Sequence, residues 1–236
     1  TFKSPSSSFG DLLGFIPEQY QKYLKDVETG GNVAFSGFFK GKYDEKNFPG
    51  FDVDIKVDNG RVKYPKLPEE VKNINVAAKI SKAEGGMDLT LIDVDKLEAT
   101  VAGNPLSATL HVATPVSDPA LKGTLKGRID FTSLRQAIPM DSVDLKGIIE
   151  AVADFDGKYS SIEKQQYENF KTTGTVSMKN FEYGSKSLTE KVAISTAEIK
   201  LIPKTITLTR LIGNMGQSDF SANGSLSNYW PYILKK

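Results

Sequence analysis

Hydrophobic and polar residues alternate along most of this chain with a period of two. The clearest run extends from Leu121 to Phe131, where every odd position is apolar or glycine and every even position is polar. Successive side chains of a β-strand point to opposite faces, so this run predicts a strand with one apolar and one polar face. Similar runs recur between Val33 and Leu226. They predict a sheet with one continuous apolar surface, which must be buried by another layer, by closure of the sheet or by an apolar ligand.

The beginning of the chain has a different pattern. A Ser-rich start predicts a loose leader, and Pro17 followed by apolar residues at helical spacing predicts a helix that stops at Gly30 and Gly31. We therefore divide the chain into residues 1–30, a leader plus a helix, and residues 31–236, a single antiparallel β-groove domain.

Two short helical segments interrupt the later strands. One is expected around residues 134–138, and the capping-box pair of Ser160 and Glu163 predicts a second that reaches Phe170. The predicted fold is all-β with minor helices. It is a long, strongly twisted and curved antiparallel sheet that forms an open groove or half-barrel, with two short helices at an end or edge.

Two local signals bear on strand register. Asn59-Gly60 is the dipeptide typical of a two-residue hairpin turn, so a return strand is expected to begin at Val62. The alternation also slips by one position between Ile194 and Ile199, and a β-bulge near residues 196–197 would accommodate the slip.

Several glycines occupy positions on the apolar face where a core side chain is expected. Either they mark bulges, bends and close packing, or their missing side chains leave a channel for a ligand. Both interpretations imply strong curvature of the sheet. The glycines concerned are Gly37, Gly41, Gly123, Gly127, Gly147 and Gly224.

Composition excludes several classes of function. The 236 residues include 30 basic and 29 acidic side chains and carry a formal net charge of +1, so no overall field attracts nucleic acid. Cysteine is absent, which excludes disulfides and thiolate metal sites. No run of eighteen apolar residues occurs. The chain begins at Thr1, and we expect any export signal or membrane anchor to lie outside it.

The residue types needed for catalysis are scarce. His111 is the single histidine and falls on the polar side of its strand, so a catalytic triad or a multi-histidine metal site is not expected. The acidic residues Asp52, Asp54 and Asp58 alternate along a strand and lack the glutamate that would close a calcium loop. We expect a protein that is not an enzyme and that uses no metal and no cofactor.

Four segments together resemble the AsmA-like family of bacterial envelope proteins. They are FPGFDVDIKVDNGRVKYPKLPEEVKNINVAAKI from Phe48, GNPL from Gly103, LKGTLKGRIDF from Leu121 and GQSDFSANGSLSNYWPYI from Gly216. The resemblance covers the chain from Ala34 onward and depends on the order of the segments, because none of them is diagnostic alone.

The resemblance implies a periplasmic protein of a Gram-negative bacterium, anchored to the inner membrane by a segment outside this sequence. Its relatives form long curved sheets whose apolar concave face carries phospholipids between membranes, which implies a role in lipid transport and outer-membrane biogenesis. In such relatives the sheet continues past the equivalent of Leu234, so an isolated fragment is expected to be able to dimerise through an exposed edge strand.

The alternation and the resemblance point to the same strand face. We expect phospholipid or fatty acyl chains as partners, with envelope membrane proteins as further partners and no nucleic acid. Two alternatives remain: a non-enzymatic scaffold for assembly of outer-membrane proteins, and a hydrolase that uses carboxylates alone. The predicted groove lining consists of Leu125, Ile129, Phe131, Leu145, Ile149, Phe155, Val176, Met178, Ile199, Leu201, Ile206, Leu208 and Phe220.

Overall fold

The computed structural model describes residues 1–8, 10, 27–42, 48–65, 68–137, 143–164, 166, 169–185 and 187–227. Twelve strands of this part form one antiparallel sheet in which each strand pairs with its neighbours in the chain, so the spatial order is β1 to β12. The sheet is open, because no described pairing joins β1 to β12. The all-β fold predicted from the alternation is confirmed.

The strands are long for a globular protein, whose strands usually have five or six residues. They are β1 (Phe2–Ser8), β2 (Glu28–Lys40), β3 (Gly50–Lys63), β4 (Val71–Lys82), β5 (Thr90–Val101), β6 (Asn104–Ala113), β7 (Ala120–Asp130), β8 (Val143–Lys158), β9 (Lys171–Ser185), β10 (Val192–Ile202), β11 (Thr205–Met215) and β12 (Ser218–Ser227).

Short helices lie in three connections of the described chain. They are a 3-10 helix at Met87–Leu89, helix α1 at Phe131–Ala137 and helix α2 at Tyr159–Glu163. Helix α1 matches the expected helical connection after β7. Helix α2 ends well before Phe170, and the Ser160 side chain does not act as a cap: its hydroxyl donates to Asp118 instead.

The start of the chain differs from the expected loose leader. Residues Phe2–Ser8 form edge strand β1, which pairs antiparallel with β2. The Phe2 ring stacks on Phe39 at a centroid distance of 5.7 Å and lies 6.2 Å from Phe35. This apolar contact holds a segment whose serines and proline are typical of a loop. Most of the helix predicted after Pro17 falls outside the described residues, but its predicted end at Gly30 and Gly31 is wrong, because strand β2 already begins at Glu28.

The hairpin predicted at Asn59-Gly60 is wrong. Strand β3 continues through both residues to Lys63, and its registers with β2 and β4 shift at this point. Asn59 has a φ of 49°, and its backbone N–H donates to the side-chain Oδ1 of Asn75 on β4. The left-handed conformation that this dipeptide favours therefore forms a β-bulge, because the strands on both sides extend past it.

Further bulges keep the apolar residues on one face. In the pairing of β10 with β11 the register shifts between Ile194 and Thr196, one residue before the expected site. In the pairing of β8 with β9, Gly147 has a φ of 93° and Asn180 a φ of 48° where the register shifts. Each bulge adds a residue and restores the apolar positions beyond it to the same side of the sheet.

Deeply buried side chains are few in the described part of the sheet. Val33 and Val57 are 1% and 3% exposed and form a small cluster with Phe35, Val62 and Ile74 on strands β2 to β4. Val112, Ala197 and Phe170 are the other hydrophobic residues that are buried there. Most apolar side chains of the sheet are thus only partly shielded from solvent.

Candidate functional site

The predicted lining residues lie on one face of the sheet. Directly opposed residues of antiparallel strands point to the same side, so the registers assign faces without ambiguity. Leu125 opposes Ala108 and Ala153, and Ile149 opposes Ile129 and Met178. The same relation continues to β12, so the twelve predicted residues that lie in strands share this side, which we call the apolar face.

Phe131 is the thirteenth predicted residue and is placed differently. It begins helix α1 and does not end strand β7. Its ring nevertheless contacts Phe181 edge to face, at a centroid distance of 5.6 Å. Since Phe181 opposes Ile194 on the apolar face, Phe131 packs at the margin of that face.

Three exposed leucines mark the middle of the apolar face. Leu97, Leu106 and Leu125 are 41%, 36% and 54% exposed. Most of their directly opposed neighbours are small, namely Ala99, Ala108, Gly127 and Ala153, while Leu97 also opposes Val76. Large exposed side chains beside small ones give a shallow apolar surface that lacks a covering layer among the described residues. We call this region, from β5 to β8, the leucine surface.

The glycines of the apolar face do not form a channel. A side chain at Gly123 would meet the Phe155 ring at 2.8 Å, and one at Gly37 would meet the Phe2 ring at 2.8 Å. Gly127 is covered by a methyl group of Leu106, while Gly147 lies in a bulge and Gly41 has a φ of 130°. Close packing and bends therefore explain these five positions.

Gly224 and Gly213 have different surroundings from one another. Gly224 on β12 has open space where a side chain would be. Gly213 on β11 was not among the predicted positions and lies beneath the ring of Phe220. Three glycines, Gly37, Gly123 and Gly213, thus each lie opposite a phenylalanine whose ring fills their place.

The opposite face of the sheet is polar and carries an ordered row of charges. Seven directly opposed side chains cross strands β3 to β9, with opposite charges at most steps. They are Asp54, Lys79, Asp93, His111, Lys122, Asp156 and Lys171. We call this row the charge ladder. His111 is where the alternation is interrupted, since it lies between Asp93 and Lys122.

Close contacts connect parts of the charge ladder. His111 Nδ1 lies 2.5 Å from Asp93 Oδ1, and Lys79 Nζ lies 2.9 Å from Asp52 Oδ2. The hydrogen bond to Asp52, helped by the negative charges of Asp52, Asp54 and Asp93, raises the pKa of Lys79 above its ordinary value. The sequence showed that His111 lies on the polar side, but not which charges oppose it.

The polar face also contains a depression of about 700 Å³. Residues of six consecutive strands line it, among them the polar Asn75, Glu98, Ser107, Lys126 and Glu150. The polar face is therefore concave across β4 to β9. None of the predicted lining residues contributes to this depression.

Two further observations concern the chemistry and the membrane relation of the described residues. They include no group of three or more histidine, cysteine, aspartate or glutamate side chains placed to hold a metal ion. None of the helices in the described ranges is long and apolar enough to cross a bilayer.

Comparison of the chain with protein-family models, with curated proteins and with solved structures finds no match.

Proposed function

We propose that this protein binds lipid acyl chains on its apolar face and acts as a non-enzymatic, periplasmic protein of the bacterial cell envelope. The observation that carries the proposal is the leucine surface, where Leu97, Leu106 and Leu125 remain exposed on a continuous apolar face. Soluble proteins rarely expose a contiguous apolar surface that serves no binding role. The resemblance to AsmA-like proteins supports a role in lipid transport with an inner-membrane anchor outside this sequence.

The energetics suit a carrier. Burying about a dozen methylene groups gains roughly 10 kcal/mol gross, at about 0.8 kcal/mol for each group. A donor membrane buries the same chain, so the net cost of moving it from bilayer to protein is small. Transfer of this kind needs no catalytic side chain and no fuel.

Photo-crosslinking at matched positions tests the proposal. A photoreactive residue at Ile149 or Leu208 on the apolar face is expected to label phospholipid in the full-length protein. The same residue at Lys126 or Thr207, which the registers place on the polar face, is expected to label none. Equal labelling of both faces would contradict a binding site on the apolar face.

A second test uses the exposure of Leu125. Because this side chain is 54% exposed, Leu125→Asn is expected to fold and to retain several-fold less co-purifying lipid, measured by organic extraction and mass spectrometry. Lys126→Asn changes the neighbouring position on the polar face and serves as the control. Purified protein that contains no lipid, even after exposure to lipid without detergent, would refute the proposal.

A non-enzymatic scaffold for outer-membrane protein assembly is the second candidate. Its support is the ring packing over Gly37, Gly123 and Gly213, which fills three positions of the apolar face with the protein's own side chains. In this case sheet edges would present backbone groups to partner strands. The lipid measurements above separate the two candidates, since a scaffold is expected to contain no lipid.

A further inference from the structure

One end of the sheet presents a row of exposed apolar side chains. The β4–β5, β6–β7 and β8–β9 connections all lie at this end, because successive strands of the sheet are antiparallel. The apolar side chains at these tips are Met87, Leu89, Val116 and Tyr159, which are 41%, 49%, 68% and 46% exposed. We call these four residues the apolar tips.

Two carboxylates hold these connections together. Asp88 Oδ1 accepts the backbone N–H groups of Val116 and Ser117 at 3.0 Å and 2.9 Å, which ties the first connection to the second. Asp118 accepts the backbone N–H of Ser160 at 3.0 Å and its hydroxyl at 2.9 Å, which ties the second to the third. The apolar tips are therefore fixed in position.

Two further hydrogen bonds reinforce this arrangement. The N–H of Tyr159 donates to the carbonyl oxygen of Pro119 at 2.8 Å, and the Thr114 hydroxyl donates to the carbonyl oxygen of Asp118 at 2.7 Å. Tying the backbone beneath exposed apolar side chains lowers the entropy cost of ordering these connections in a contact, which favours a binding surface.

The opposite end of the same strands is built differently. Glu70 is paired with Arg61 and Lys72 there, and Asp144 is paired with Arg135 and Lys191. Leu188 is the exposed large hydrophobic residue in the described β9–β10 connection at that end. The tip end therefore combines four exposed apolar side chains with one ion pair, Lys158 with Asp118, whereas the opposite end combines several ion pairs with the exposed Leu188 and Met215.

We propose that the apolar tips dock the protein on the surface of a phospholipid bilayer. This inference rests on the proposed function and adds the direction from which a lipid reaches the sheet. The tips terminate the strands that carry the leucine surface, and Leu125 lies five residues from the start of β7, roughly 17 Å along the strand. That distance is within reach of an acyl chain whose headgroup remains at the bilayer surface.

The composition of the tips fits a bilayer interface. Tyrosine is enriched at membrane–water interfaces, because its ring is apolar and its hydroxyl is polar. Aliphatic side chains can insert among the acyl chains. The carboxylates of Asp88 and Asp118 are occupied by N–H groups of the protein, so they anchor the connections and do not project as free charges. Lys164 is exposed directly after helix α2 and can face lipid phosphates, whereas the ammonium group of Lys158 lies 3.6 Å from the Asp118 carboxylate.

Co-sedimentation with vesicles of phosphatidylethanolamine and phosphatidylglycerol tests the docking. The variant with both Leu89→Asp and Val116→Asp is expected to bind at least about tenfold more weakly, because two apolar contacts are replaced by charges repelled from the anionic surface. Leu188→Asp makes the same change at the opposite end and is expected to bind as the unmodified protein does. All three positions are exposed, so the variants should fold, which circular dichroism checks.

The outcomes separate this inference from the proposed function. Equal vesicle binding by the double variant and by Leu188→Asp, or no vesicle binding by the unmodified protein, would overturn the docking surface. Monomeric short-chain phosphatidylcholine is offered in parallel, with photo-crosslinking at Ile149 as the readout. Labelling there without vesicle binding would leave acyl-chain binding intact and refute only the docking, whereas loss of labelling would refute acyl-chain binding itself.

Discussion

The side-chain oxygen of Asn104 accepts the backbone N–H of Asp130 at a distance of 2.6 Å, across 26 residues of sequence. Its amide nitrogen donates to the carbonyl oxygens of Val101 and Ala102 and to the hydroxyl of Ser133. With 2% of its surface exposed, Asn104 joins the β5–β6 turn to the start of helix α1.

Replacing Asn104 by alanine is therefore expected to destabilise the protein by about 2–4 kcal/mol, because several buried donors and acceptors lose their partner at once. Urea unfolding followed by circular dichroism measures the change. Asn223→Ala, on the exposed strand β12, is the matched control and should shift stability by less than about 0.5 kcal/mol. A loss of stability in Asn104→Ala as small as that expected of the control would show that the Asn104 hydrogen bonds contribute little.

The turn between β10 and β11 offers a stabilising change. Pro203 is followed by Lys204, which has a φ of 74°, a conformation that glycine and asparagine adopt more readily than lysine. We expect Lys204→Asn to raise the free energy of unfolding by about 0.5–1 kcal/mol, measured in urea, through relief of backbone strain. Lys200→Asn, in the extended part of β10, should give no gain. An unchanged or lower free energy of unfolding for Lys204→Asn would contradict backbone strain at Lys204.

The Asp118 carboxylate predicts a dependence of stability on acid. The hydrogen bonds from Ser160, with a smaller contribution from Lys158, lower the pKa of Asp118 below its ordinary value of 3.8. The unfolded chain therefore binds a proton more readily, and stability falls as the pH drops through 3.8 towards the folded pKa.

Asp118→Asn should lose this part of the acid dependence, and Asp219→Asn on β12 should keep it. Denaturation midpoints recorded between neutral and acidic pH provide the measurement. Identical pH profiles for the Asp118 variant and the unmodified protein would show that these hydrogen bonds do not couple to folding.

The charge ladder predicts a coupled pair of substitutions. Asp93→Lys places a cation directly opposite Lys79 and beside His111, so the melting temperature should fall, and it should fall less at high salt. In a Lys79→Ala background the same Asp93→Lys change meets no cation across the strands, so it should lower the melting temperature less than it does in the unmodified protein. Additive losses in the double variant would show that the two residues are not coupled.

The two outermost strands of the described sheet, β1 and β12, predict how the chain associates. Strand β1 contains Pro5 and a register shift between Ser4 and Ser7, which limit pairing with a further strand. Strand β12 has ten residues, no proline and a single charge at Asp219. We expect self-association through β12, detected by sedimentation, and its loss in Ser221→Pro but not in Ser6→Pro. A monomer at high concentration, or equal effects of both prolines, would refute this interface.

The sequence predicted the sheet because strand alternation is a local property. The faces of Leu125 and Ile149 followed from their neighbours in the chain alone, and both lie where the alternation placed them. The bulge near Ile194 was predictable for the same reason, since a slip in parity is visible in one strand.

Other features depend on contacts between strands and could not be predicted in this way. Asn59-Gly60 interrupts the alternation of apolar and polar residues in the same way whether it forms a turn or a bulge. Pairing of the flanking residues with β2 and β4 shows that it forms a bulge. The Ser-rich segment became β1 because the Phe2 ring stacks on Phe39. The ring over Gly123 and the charges that oppose His111 likewise belong to neighbouring strands.

The strictly sequential strand order has a consequence for biosynthesis. Each new strand needs only the one made just before it as a template, so the sheet can grow from its amino-terminal edge while translation continues. Lengthening such a gene by one hairpin would widen the apolar face without rearranging the strands that precede the addition. The area of the apolar face would then scale with the number of hairpins encoded.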